Sequence, residues 1–86
     1  MSLLMTFQLG FAQKTVSGTV TDTSGVPLPG ATVVVQGTNN GVTTNFDGDY
    51  SISASEGDVL VVSFVGFESA SATVGAASTY DFSLSE

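Results

Sequence analysis

The chain has 86 residues, one basic and eight acidic side chains, and a formal net charge of −7 at pH 7. That is room for one domain. A single cation excludes nucleic-acid binding, which needs Lys and Arg to displace counterions from phosphates, and excludes adhesion to an anionic membrane surface. Cysteine and histidine are both absent, which excludes disulfides, thiolate metal sites and the common nucleophile–base pairs.

Residues 3–12, LLMTFQLGFA, are apolar but fall well short of the roughly 20 residues that span a bilayer. Gly10 and Ala12 are small and two apart, as a signal-peptidase site requires, and cleavage would leave Gln13 first. Met1-Ser2-Leu3 reads as an expression start. Residues 1–13 are therefore expected to be a signal-peptide remnant, or else an edge strand, and residues 14–86 to be the folding unit.

The alphabet of that unit is Val, Thr, Ser and Gly, with Phe and Tyr for bulk. Branched side chains suit a pleated surface better than a helix. Short alternating runs are separated by Gly, Pro, Asn and Asp at spacings of a sandwich or barrel. Thr15 to Thr21 is the first run, with Val16, Gly18 and Val20 on one face. Asp22 to Gly30, DTSGVPLPG, is a loop in which Leu28 is expected to plug inward. Ala31 to Gln36 forms the second strand and GTNNG a turn. Val42 to Phe46 forms the third strand, and Asp47-Gly48 predicts a tight hairpin leading back through Tyr50, Ile52 and Ala54.

Glu56-Gly57-Asp58 turns the chain again. Val59 to Phe64, VLVVSF, reads as a central strand buried on both faces. Ala70, Ala72 and Val74 mark a weak strand near an edge, and Tyr80, Phe82 and Leu84 alternate in the last one. The fold expected is all-β, a sandwich of about seven strands.

Catalysis has little to work with. Hydroxyls are plentiful but lack an adjacent base. Asp47 and Asp49 flank a glycine and are expected to serve a turn rather than acid–base chemistry. Asn45, Asp47, Asp49 and Glu56 fit positions 1, 3, 5 and 12 of an EF-hand count, but Tyr50 stands where that loop needs Gly. No catalytic, cofactor-binding or metal-ligating residue is assigned. Carbohydrate recognition would need exposed aromatics. Phe46, Tyr50, Phe64, Phe67, Tyr80 and Phe82 are all expected to pack, and Phe46 at the hairpin and Phe67 after Gly66 are the two whose positions allow exposure. The acidity serves solubility, or else an acidic face for a basic partner.

Several pieces recur in the order of a known family. They are Gly18-Thr19-Val20-Thr21-Asp22, Pro27-Leu28-Pro29-Gly30-Ala31, Gly37-Thr38, Asp47-Gly48-Asp49-Tyr50-Ser51-Ile52, Gly57 and Phe64-Val65-Gly66-Phe67. Each is weak alone. Together they span nearly all of residues 16–74, and the chain resembles the carboxypeptidase-regulatory-like domain at the N-terminus of SusC/RagA-type TonB-linked outer-membrane proteins. Gln36, Asn45 and Phe67 are mild departures from the pattern.

The resemblance implies a seven-stranded Greek-key sandwich of the prealbumin (transthyretin-like, immunoglobulin-like) kind. It implies export to the periplasmic face of the outer membrane, no catalysis and no cofactor. The implied partners are the plug and barrel of a parent transporter, with TonB-system or surface lipoprotein partners besides; the domain itself would not insert into the membrane. The alternative is a stalk, adhesion or carbohydrate-binding module of another exported protein.

Overall fold

The computed structural model describes residues 13–86. Residues 1–12 of the expected signal-peptide remnant, Gly10 and Ala12 among them, lie outside the described residues. Seven strands follow: β1 Lys14–Asp22, β2 Thr32–Val35, β3 Gly41–Thr43, β4 Asp49–Ala54, β5 Val59–Ser63, β6 Ala70–Thr73 and β7 Phe82–Leu84. They form a three-stranded sheet, β4-β1-β7, facing a four-stranded one, β3-β2-β5-β6. Among the described residues no helix is long and apolar enough to cross a membrane.

Period-two alternation builds the core. Val16 and Val20 of β1, Tyr50, Ile52 and Ala54 of β4, and Phe82 and Leu84 of β7 are buried, while their neighbours turn outward. Opposite them lie Val33 and Val35 of β2 and Leu60 and Val62 of β5. Leu28 plugs the end of the sandwich, as its place between two prolines suggests. Each such aliphatic side chain, fully withdrawn from water, contributes about 1.5–3 kcal/mol before entropy is counted. The rings of Tyr50 and Phe82 meet at 6.3 Å and 45°.

Only β2–β3 and β5–β6 are joined as hairpins within one sheet; the other four connections change sheets. Non-consecutive β2 and β5 are thereby brought side by side, antiparallel, with Val33 opposite Val62. β7 returns beside β1 in parallel, with Val20 opposite Phe82 and Asp22 opposite Leu84.

Two expectations are corrected. Asp47-Gly48 does not join a hairpin: β3 pairs with β2 and β4 pairs with β1, so this turn carries the chain from one sheet to the other. The local turn chemistry is present, but the neighbours that complete each ladder are set by the sandwich. The VLVVSF strand is interior to its sheet yet buried on one face only. Leu60 and Val62 are buried, and Val59 and Val61 are only partly covered, because among the described residues no third layer lies over that sheet.

Candidate functional site

The strand pairings gather three connections at one end of the sandwich. β1 ends beside the start of β4, with Thr19 opposite Asp49, and beside the end of β7. β2 starts opposite the end of β3 and the end of β5, through Thr32, Thr43 and Ser63. The β1–β2 loop, the β3–β4 turn, the β5–β6 turn and the residues after β7 therefore share this end. Direct bonds tie them together: Gly30 N–H to Thr44 O (3.1 Å) and Glu68 N–H to Ser85 O (2.6 Å), while Leu28 N–H to Val20 O (3.0 Å) folds the β1–β2 loop back onto β1.

Each connection holds an apolar side chain out to solvent. In the first, Asp22 Oδ1 accepts the N–H groups of Ser24 (2.8 Å) and Val26 (2.9 Å), an Asx turn that leaves Val26 55% exposed. In the second, Asn45 Oδ1 accepts from Asp47 N–H (2.9 Å) and Asp49 N–H (3.0 Å), and Phe46 stands at the tip, 88% exposed. Gly48 completes that turn with φ of 78°, and a Cβ there would lie 2.6 Å from Val20 O. In the third, Phe67 N–H donates to Phe64 O (3.0 Å), and Val65 is 91% exposed. Phe64 and Phe67 stack obliquely at 5.7 Å, beside an open groove of about 410 Å³ that Gly30, Thr32, Ser63 and Ser69 also line. Asp47, Glu68 and Glu86 are exposed at the same end.

A second feature lies on the side of the three-stranded sheet. Thr19 Oγ1 donates to Asp49 Oδ1 (2.7 Å), and Thr19 N–H donates to Asp81 Oδ1 (2.9 Å). Beneath them the Tyr50 hydroxyl donates to Tyr80 O. Burial foremost, then the negative charge of Asp81 and then Tyr80, push the Tyr50 phenol up to about 12.

At the opposite end, Lys14 Nζ donates to three successive carbonyls of the β6–β7 connection: Gly75 (2.7 Å), Ala76 (3.0 Å) and Ala77 (2.9 Å). All three ammonium hydrogens are thereby used. The chain's one cation fastens the start of β1 to a distant loop.

The residues singled out by the EF-hand count do not converge. Asn45 uses its side-chain oxygen on the turn, Asp49 holds Thr19, and Glu56 lies beyond the far end of β4, about 20 Å of extended chain away. Asp47 and Asp49 belong to the turn as expected, although Asn45 supplies the bonding oxygen. Phe46 is exposed and Phe67 half-buried against Phe64. Val26 and Val65 were not singled out by their types. The available signal was position, since each is an apolar residue beside a turn glycine.

Residues 16–86 match the model of the CarboxypepD_reg-like domain. The chain belongs to this family. The CarboxypepD_reg-like domain is 54% identical over 59 residues to the TonB-dependent receptor SusC of Bacteroides thetaiotaomicron, covering 67% of this chain and 6% of that protein. It is 39% identical over 74 residues to the TonB-dependent receptor P39 of Formosa agariphila, covering 85% of this chain and 7% of the relative. TonB-dependent receptor P26 of the same organism is 45% identical over 69 residues, which is 80% of this chain and 7% of that protein. The domain thus spans about one fifteenth of the length of these curated relatives.

Proposed function

We propose that this CarboxypepD_reg-like domain is a non-catalytic accessory domain at the N-terminus of a TonB-dependent outer-membrane transporter for glycans or peptides. It sits on the periplasmic side and acts by docking. Residues 14–86 are the folding unit and residues 1–13 the export remnant. The observation that carries this reading is 54% identity to a TonB-dependent receptor of which the domain is only 6%. The geometry agrees with a binding role. The side-chain oxygens of Asp22 and Asn45 shape turns, those of Asp49 and Asp81 hold Thr19, and the exposed apolar groups sit on loop tips.

Deleting residues 14–86 from the parent gene, with the signal sequence kept, tests it. Growth on the imported nutrient should fall while the barrel still reaches the outer membrane. Unchanged uptake, or a downstream reading frame with no plug and barrel, would sink the reading.

A further inference from the structure

Val26, Phe46 and Val65 are the large apolar side chains most exposed among the described residues, and all three lie at one end of the sandwich. The fold does not need them there, because Leu28 and Phe64 already close that end of the core. Grouped exposed apolar residues mark an interaction surface. Around them stand Asp47, Glu68 and Glu86, while the one cation is fixed at the other end by three carbonyls. A partner matching this end must offer an apolar patch flanked by Lys or Arg.

The same end is where the chain leaves the fold. Leu84 pairs with Asp22, and Ser85 is held by Glu68 N–H, so whatever follows Glu86 departs beside the three tips. Three side chains are too few for a stable contact between separate proteins, which needs about 1,000 Å² or more. Tethered through residue 86 by a short linker, a partner would be held at an effective concentration of about millimolar, where a small patch suffices.

We propose that the end bearing Val26, Phe46 and Val65 docks onto a basic-flanked apolar surface of the same polypeptide beyond residue 86. This rests on the reading of the domain as part of a longer receptor.

The test is site-specific photo-cross-linking in the full-length parent protein in its membrane. A photoreactive phenylalanine analogue is placed at Phe46, at Val65 and, as control, at Asn39 in the β2–β3 turn of the opposite end. Phe46 and Val65 should each give cross-links within the same polypeptide, mapping beyond residue 86, about tenfold above Asn39. The double substitution Phe46→Glu with Val65→Glu should release the domain to added protease at its junction with the rest of the chain. Its isolated melting temperature should be unchanged. Cross-links chiefly to a separate protein, yields equal to Asn39, no cross-link, or unaltered protease protection would each overturn the proposal. Its failure is separable from failure of the receptor reading: docking can be absent while deletion of the domain still impairs uptake.

Discussion

The Tyr50 hydroxyl donates to the main-chain carbonyl of Tyr80, reaching across β1. Tyr50 pairs with Gly18 in the β4–β1 ladder, and Tyr80 lies on the other side of β1, where its N–H donates to Ser17 O (2.8 Å). The reach is possible because β1 has no side chain at that point. A Cβ on Gly18 would lie 1.9 Å from Tyr80 O and 3.0 Å from the Tyr50 ring.

Gly18→Ala should therefore be severely destabilising. The obstruction is backbone, so β1 or the Tyr80 segment must move, and the Tyr50 bond is lost with it. A cost of about 3 kcal/mol or more is expected, read as a drop in melting temperature of about 12 °C or more. Gly25→Ala is the comparison. Its φ of 87° is unfavourable for alanine, but nothing lies within 4 Å of the added carbon, and about 1 kcal/mol is expected.

Tyr50 also gives the domain an alkaline limit. The protonated phenol is the neutral form, and the fold holds that proton up to about pH 12 rather than 10.0. Below pH 10 both folded and unfolded chains keep it, and the contribution is intact. Between about pH 10 and 12 the unfolded chain loses its proton first, so stability falls as pH rises, by about 1–2 kcal/mol for a partly wetted hydroxyl. Urea melts of wild type and Tyr50→Phe across that range should converge, with the variant weaker at pH 7 by about 1–2 kcal/mol and flatter above pH 10. Parallel curves would contradict the assignment.

Thr44 is the buried polar side chain of the core region, and its hydroxyl bridges two main-chain groups. Oγ1 accepts from Ala31 N–H (2.9 Å) and donates to Leu28 O. Thr44→Val keeps the shape and orphans both, at an expected cost of about 2–4 kcal/mol. Thr44→Ser keeps the hydroxyl and should recover most of that in the same thermal melt.

Lys14→Met should cost about 1–3 kcal/mol, since three carbonyls lose a charged donor and only the apolar stem is replaced. Amide exchange should rise chiefly in residues 75–79. Fast exchange spread evenly over the domain would instead point to a general loss of stability.

Much of this fold can be read from the order of residues, for one physical reason. Strands buried on one face alternate, so Val16 and Val20, Tyr50 to Ala54, and Phe82 and Leu84 declare their inward sides. What alternation lacks is the identity of the neighbour. Asn45 to Gly48 has the chemistry of a tight turn whether the next strand returns beside the last or crosses to the facing sheet. VLVVSF looks buried on both faces because valine is equally at home on a half-covered one. Lys14 offers no clue to its role, since its partners are carbonyls of Gly75, Ala76 and Ala77, groups that every residue carries. The exposed end was half visible: Phe46 drew notice as an aromatic at a turn, whereas Val26 and Val65 gain meaning only when the topology places them beside it.

The parallel pairing of β1 with β7 bears on how the domain is made. Sixty-two residues separate Thr19 from the Asp81 carboxylate that it meets, nearly the full length of the described chain. Closing so long a loop comes before any reward from the contacts it permits, which slows folding. A nascent chain can form the β2–β3 and β5–β6 hairpins early, but among the described strands β1 is laddered to β4 alone until residues 82–84 have left the ribosome. A chain shortened by even the last five residues would lose that closing strand, so truncation from this side should abolish cooperative folding rather than weaken it by degrees.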